Sequence, residues 1–274
     1  MQPNPLYKIG VAEVRDLITR APWMQLVSHP ASGPVASPSP VLLAPQDAAV
    51  AGGSPATGEA ATDSGADAQG ATGAADAGAE PIVLETHLGR ADARLHGLLQ
   101  PREDGRPHTM LVIAAGAHGY VSPSWYLGRD AGQVPTWNFE QATLTCDVEV
   151  LDAQANLETL RRLVEHFEQV YAPEDGIRLD IDDDGNRGMA MGTIGLRLTV
   201  TSFDAKSKMS QNKSLETQTS VLAHLDASNP ALAARMRHAQ SGEAVQPGSD
   251  YAAALGAQTA AQTAAQPATP TSGD

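Results

Sequence analysis

Between Gly116 and Cys146 the chain reads GAHGYVSPSWYLGRDAGQVPTWNFEQATLTC, its densest run of side chains that bind rather than fill a core. Two clusters, Ser122-Pro123-Ser124-Trp125-Tyr126 and Pro135-Thr136-Trp137-Asn138, flank a Gly-containing connection from Leu127 to Val134, which is a hairpin pattern. Two of the three tryptophans lie here, beside hydroxyls and an amide. Indoles cover an apolar face while short polar groups address a polar edge, so a flat, partly charged ligand would suit the set. The same residues also suit simple packing of a barrel whose rim carries turn-forming Ser and Pro. The sequence alone leaves both readings open.

Three other stretches carry chemistry. In His87-Leu88-Gly89-Arg90-Ala91-Asp92 a strand ends in His, and a Gly and an Arg open a helix, where backbone donors and a guanidinium can converge on an anion. The bland alternative is a solvated Arg90 and a strand-end His87. Phe203 to Lys213 is the one locally basic patch, with Lys206, Lys208 and Lys213 among Ser, Gln and Asn, a set able to hold a phosphate or to form an ordinary polar loop. Asp180, Asp182, Asp184 and Gly185 open like a calcium loop. The twelfth position is Met191 where a bidentate Glu is needed, so residues 172–188 read as a solvated acidic turn.

Composition narrows the classes. The chain has 274 residues and a formal net charge of −14. That balance argues against a nonspecific grip on nucleic acid, which needs clustered Lys and Arg. Residues 48–80 and 240–274 consist mostly of Ala, Gly, Ser, Thr, Gln, Pro and acids, too little apolar surface to offset the entropy of ordering. They are expected to be a disordered insertion and a disordered tail, leaving one domain over 1–239. The single Cys146 excludes an internal disulfide and falls in a strand pattern, where it reads as a core residue. No leader or membrane-length apolar run is seen, and the expected compartment is the cytoplasm. The sequence lacks a dinucleotide fingerprint, a phosphate-loop lysine motif, a Gly-x-Ser-x-Gly elbow and a His-Glu-x-x-His pair.

The elements that must position these groups are mostly strands. Helical spacing predicts a short helix over 11–20, then strands over 23–28, 34–44 (its prolines marking an edge), 81–88 and 108–116. Alternation predicts long strands from Val134 to Leu151 and around Ile194 to Val200, with helices from about Asn156, over 215–225 and from Asn229-Pro230 to about Gln240. Strands dominate without the strand–helix alternation of a parallel sheet. The expected fold is mainly β with flanking helices, an antiparallel barrel.

Read in order, His118 to Tyr126 (HGYVSPSWY), Val134 to Phe139 (VPTWNF) and Lys208-Met209-Ser210-Gln211-Asn212 resemble the motifs of the PaiB-like proteins, described as FMN-binding negative transcriptional regulators. His87 to Asp92 is similar to that family's His-Leu/Met-Ala-Arg-Ala-Asn segment, with Asp92 in place of Asn, and Ser207 stands where relatives carry an aromatic residue. The resemblance spans about Tyr7 to Leu225 outside the insertion. It implies a split β-barrel of the flavin-reductase and pyridoxamine-phosphate-oxidase type, a homodimer with FMN at the subunit interface and contacted by both chains. Carried over residue by residue, it places His87, Gly89 and Arg90 near the phosphate or ribityl chain. Ser122, Ser124, Trp125, Thr136, Trp137 and Asn138 line the pocket, and Lys208, Gln211 and Asn212 close it.

The functional expectation is a flavin-binding module acting in negative regulation of transcription, with a transcription-related protein or DNA as partner. No basic recognition helix supports direct DNA contact. The alternative is a flavin-dependent oxidoreductase on an unknown small molecule, for which no acid/base pair defines a substrate. A flavin-free barrel is the third reading.

Overall fold

In the computed structural model residues 5–45, 81–174 and 176–242 are described. The expected insertion and nearly all of the expected tail lie outside them.

The described chain runs α1 (Val11–Arg20), β1 (Trp23–Ser28), β2 (Val35–Leu43), β3 (Val83–Gly89), α2 (Arg90–Leu95), β4 (His108–Val121), β5 (Thr136–Val150), α3 (Ala153–Tyr171), α4 (Asp184–Ala190), β6 (Thr193–Lys208), α5 (Leu215–Ser228) and α6 (Pro230–Ser241). Six strands close into a barrel in the order β1-β2-β3-β6-β5-β4, so the mainly β, split-barrel reading holds. Its residues group into two compact units: 8–115 with 141–205, and 5–7 with 116–140 and 206 onward.

The first unit holds the apolar barrel core. Alternation sends Met24, Leu26, Leu84, Leu88, Met110, Val112, Leu144, Cys146, Leu196 and Leu198 inward, and Val14, Leu17 and Ile18 of α1 join the same cluster. Cys146 is fully buried there, as its strand pattern predicts, and burial pushes its thiol up to about 12. On the other face of β3, Glu85 is buried against Arg162 of α3.

β2 corrects the expectation of an edge strand. It pairs with β1 from Val35 to Pro40 and with β3 from Val41 to Leu43, both antiparallel. The Val41 N–H bonds the carbonyl of Pro22, so the odd-numbered positions ladder with β1 and Pro38 and Pro40 face the β3 side. There side chains replace the ladder: Thr86 Oγ1 donates to the Pro40 carbonyl at 2.7 Å and Ser39 Oγ to the His87 carbonyl at 2.7 Å. The prolines thus occupy the stretch where no backbone donor is called on.

α4 corrects a second expectation, that of an acidic loop continuous to residue 188. Asp183 accepts from the Asn186 N–H at 2.8 Å, an N-cap that turns the end of the acidic run into a helix.

The second unit has its own core. Val121, Tyr126, Met209, Val221, Leu225, Leu232, Ala233 and Met236 form it, so α5 and α6 pack on the connection between β4 and β5. Asn229 caps α6 by accepting from the Leu232 N–H at 3.1 Å, with Pro230 at the first helical position.

Candidate functional site

The residues singled out by sequence fall into two sets, one in each unit. In the first unit, β3 delivers His87 and Gly89 and α2 begins at Arg90. His87 lies opposite Gly195 of β6 and is partly buried. Desolvation holds its imidazole below the ordinary value, and its buried Nδ1 has no hydrogen-bond partner among the described residues. Gly89 has φ −58°, ordinary for any residue, and an added Cβ would meet only Asp92 Oδ2 at 3.5 Å. Arg90 is exposed. Its N–H bonds the Gly192 carbonyl at 2.9 Å and its Nε the Met191 carbonyl at 3.2 Å, which fixes the stem and leaves the terminal nitrogens to solvent.

In the second unit, Ser122 caps the 3-10 turn Pro123–Trp125 and its Oγ lies 2.7 Å from that of Ser124. Trp125 is partly buried and stacks on His224 of α5, centroids 4.9 Å apart and rings 12° from parallel. Trp137 is half exposed. Its Nε1–H donates to His118 Nδ1 at 3.3 Å, and Tyr120 meets the indole edge-on at 6.2 Å. His118, Tyr120 and Trp137 therefore form an open aromatic face of which sequence reasoning named only Trp137. The signal was present, since His118 and Tyr120 share one face of β4 at a spacing of two.

Lys208, the last residue of β6, donates to Thr136 Oγ1. Desolvation, and then the charge of Lys213, lower its ammonium from the ordinary value. Asn138 is fully buried, and both ends of its amide engage the Ser210 hydroxyl, at 2.9 and 3.1 Å. Ser210 has φ +61°, and that pairing holds the strained turn after β6. Gln211 accepts from the Met209 N–H and donates to the Ser207 carbonyl, both at 2.6 Å, closing the same turn. Asn212 is exposed. Lys213, which sequence reasoning left out of the site, donates to Gln133 Oε1 at 2.5 Å and lies 4.2 Å from the centroid of the Tyr126 ring.

A family described as "Putative FMN-binding domain" matches residues 2–202. The chain belongs to this family. FMN is the cofactor of this FMN-binding family, and both residue sets suit it. In the first unit an orphaned buried imidazole nitrogen lies near the end of β3 and a guanidinium held only through Nε opens α2; in the second there is an open indole face and, separately, a lysine paired with a hydroxyl. Those are the donors and surfaces a phosphate and a planar ring system require.

Among proteins similar to this family member, protease synthase and sporulation protein PAI 2 of Bacillus subtilis (strain 168) is 26% identical over 104 residues, 38% of this chain. The chain matches about half of that relative's length, 48%. Solved structures with a similar fold include the FAD and heme binding protein from Mycobacterium smegmatis, 14% identical, covering 78% of each chain at TM-score 0.47. Another is the flavocytochrome Anf3 from Azotobacter vinelandii, 13% identical, covering 74% of this chain and 69% of that one at TM-score 0.44. No helix among the described residues is long and apolar enough to cross a membrane.

Proposed function

We propose that this FMN-binding split barrel works as a cytoplasmic homodimer in negative regulation of transcription. In this reading His87, Gly89 and Arg90 hold the phosphate or ribityl chain. Ser122, Ser124, Trp125, Thr136 and Trp137 line the pocket, Lys208 and Asn212 close it, and Asn138 and Gln211 act by holding the turn that carries Lys208. The observation that carries the flavin site is the half-exposed indole of Trp137, stacked on His118 and met edge-on by Tyr120. The regulatory role draws on the relative's name, which ties it to protease synthesis and sporulation.

A partner protein, rather than DNA itself, is the expected target. α5 carries no Lys or Arg, and on α6 Arg235 is paired with Glu140 at 2.7 Å and Arg237 with Asp226 at 2.5 Å. A helix whose cations are already engaged is a poor reader of phosphates.

A second reading, a flavin-dependent oxidoreductase, is favoured by one observation: Lys208 sets its Nζ against Thr136 Oγ1, where desolvation and then the charge of Lys213 lower its ammonium from the ordinary value. Bound FMN would supply the electron transfer. Titrating apo-protein with FMN tests the site, and the loaded protein then separates the roles. Loss of yellow absorbance with NAD(P)H without air favours the enzyme. Flavin binding without turnover, together with repression that needs a protein partner, favours the regulator. Absence of FMN binding overturns both.

A further inference from the structure

The open aromatic face of the second unit owes its direction to a glycine. Gly119 separates His118 from Tyr120 on β4, and a Cβ there would meet Asn229 Nδ2 and Leu232 Cδ2, both at 3.0 Å. β4 therefore rests on the start of α6 through Gly119, and alternation turns His118 and Tyr120 to the opposite face. Asn229, which caps α6 through Oδ1, also donates from Nδ2 to the His118 carbonyl at 3.0 Å. The backbone that carries this imidazole is thus pinned to a helix end.

The ring contact fixes a tautomer. An indole nitrogen can only donate. Because Trp137 Nε1–H donates to His118 Nδ1 at 3.3 Å, that nitrogen keeps its lone pair, and the proton of the neutral imidazole sits on Nε2. A proton added to Nδ1 would face the indole hydrogen, and the bond could not persist. The neighbours carry no charge of their own at neutral pH: Trp137 touches the ring from β5, the Tyr120 phenol shares its face of β4, and Asn229 reaches its backbone from α6. No carboxylate among the described residues makes an ion pair with the imidazole.

We propose that His118 is a positioning residue of the flavin site: its neutral ring holds the Trp137 indole through Nδ1 and presents Nε2–H as a donor to the edge of a planar ligand, and its protonation frees the indole. The proposal rests on the flavin reading for the identity of the ligand. The lock between the two rings stands on the geometry alone.

The lock is tested without flavin, by following the indole emission of the full-length apo-protein from about pH 8 to about pH 5, the range in which imidazoles take up a proton. The parent should show a step that Trp137→Phe and His118→Asn both lack, since an Asn carbonyl accepts from the indole and does not titrate. Any step from Trp125, stacked on His224, stays in both variants. FMN titration then reads the consequence. At about pH 8, His118→Phe should bind about three- to tenfold more weakly than the parent, the worth of one hydrogen bond, with His118→Asn between the two. On acidification the parent should lose more affinity than His118→Asn, a difference free of the FMN phosphate, whose protonation both share. The proposal is overturned if the emission step survives in His118→Asn, or if His118→Phe, melting as the parent does, binds FMN as tightly. A parent that shows the step but binds no FMN overturns the flavin reading, and with it the donor role, while the lock between the rings stands.

Discussion

Arg162 of α3 donates from Nε and from Nη2 to the same oxygen of Glu85, at 3.0 and 2.5 Å, and Glu85 is only 3% exposed on β3. A carboxylate at that depth needs its cations, because removing one leaves charge without compensation. Arg197 gives a second, longer contact at 3.4 Å. Arg162→Met should therefore destabilise by about 3 kcal/mol, the lower end for a broken buried pair. Urea unfolding measures it, and a loss under about 0.5 kcal/mol, as at an ordinary surface site, would mean that Arg197 alone suffices.

The approach of α3 to β6 depends on Gly195. A Cβ there would meet Asn156 Oδ1 at 2.7 Å and Asn156 Cα at 3.0 Å, and the second of these is backbone. Gly195→Ala should cost about 1–3 kcal/mol through overpacking. Gly89→Ala, with an ordinary φ and only a 3.5 Å contact, should melt as the parent does. Thermal melting of the two variants side by side checks the contrast.

Asp130 gives an acid limit. It accepts from the hydroxyl and the backbone N–H of Ser214, at 2.6 and 2.8 Å, and those donors lower its carboxyl to about 2 from an ordinary 3.8. Since the folded value lies below the unfolded one, its stabilisation is complete above about pH 4 and fades as the pH falls toward 2. Asp130→Asn should reduce the slope of melting temperature against pH in that window. An unchanged slope would remove Asp130 from the account.

Flavin affinity should fall at least about tenfold in Arg90→Ala, which removes charge-assisted bonds to a phosphate. It should fall also in Trp137→Ala, which removes an open indole face. Both side chains are exposed enough for the fold to survive. Fluorescence titration with FMN decides, and parental affinity in both variants would displace the flavin from these residues.

Cys146 should resist thiol reagents in the native state at pH 8, because burial holds it as a thiol with a value near 12. Modification at the rate of the denatured chain would contradict that burial.

What the sequence made legible is what repeats locally. Alternation at Leu144, Cys146 and Val148 and at Ile194, Leu196 and Leu198 marked β5 and β6, and Asn229-Pro230 marked the start of α6. Contacts between distant residues left no such trace. Asn138 reads as a ligand-facing amide until its buried pairing with Ser210, 72 positions on, is seen. His96 drew no notice, yet it is buried between Ser28 Oγ at 2.7 Å and Ser37 Oγ at 3.1 Å. α4 was hidden by an acidic, glycine-bearing run whose turn chemistry is also that of a helix cap.

The two prolines of β2 bear on how the protein behaves at high concentration. A strand with main-chain amides left over invites a foreign strand to add itself, the first step of domain swapping and fibril growth. Where β2 turns from β1 toward β3, Pro38 and Pro40 have no amide hydrogen to offer an intruder, and the Pro40 carbonyl is already held by Thr86. That stretch of β2 is therefore a poor template for self-association, and replacing both prolines with β-branched residues would create one.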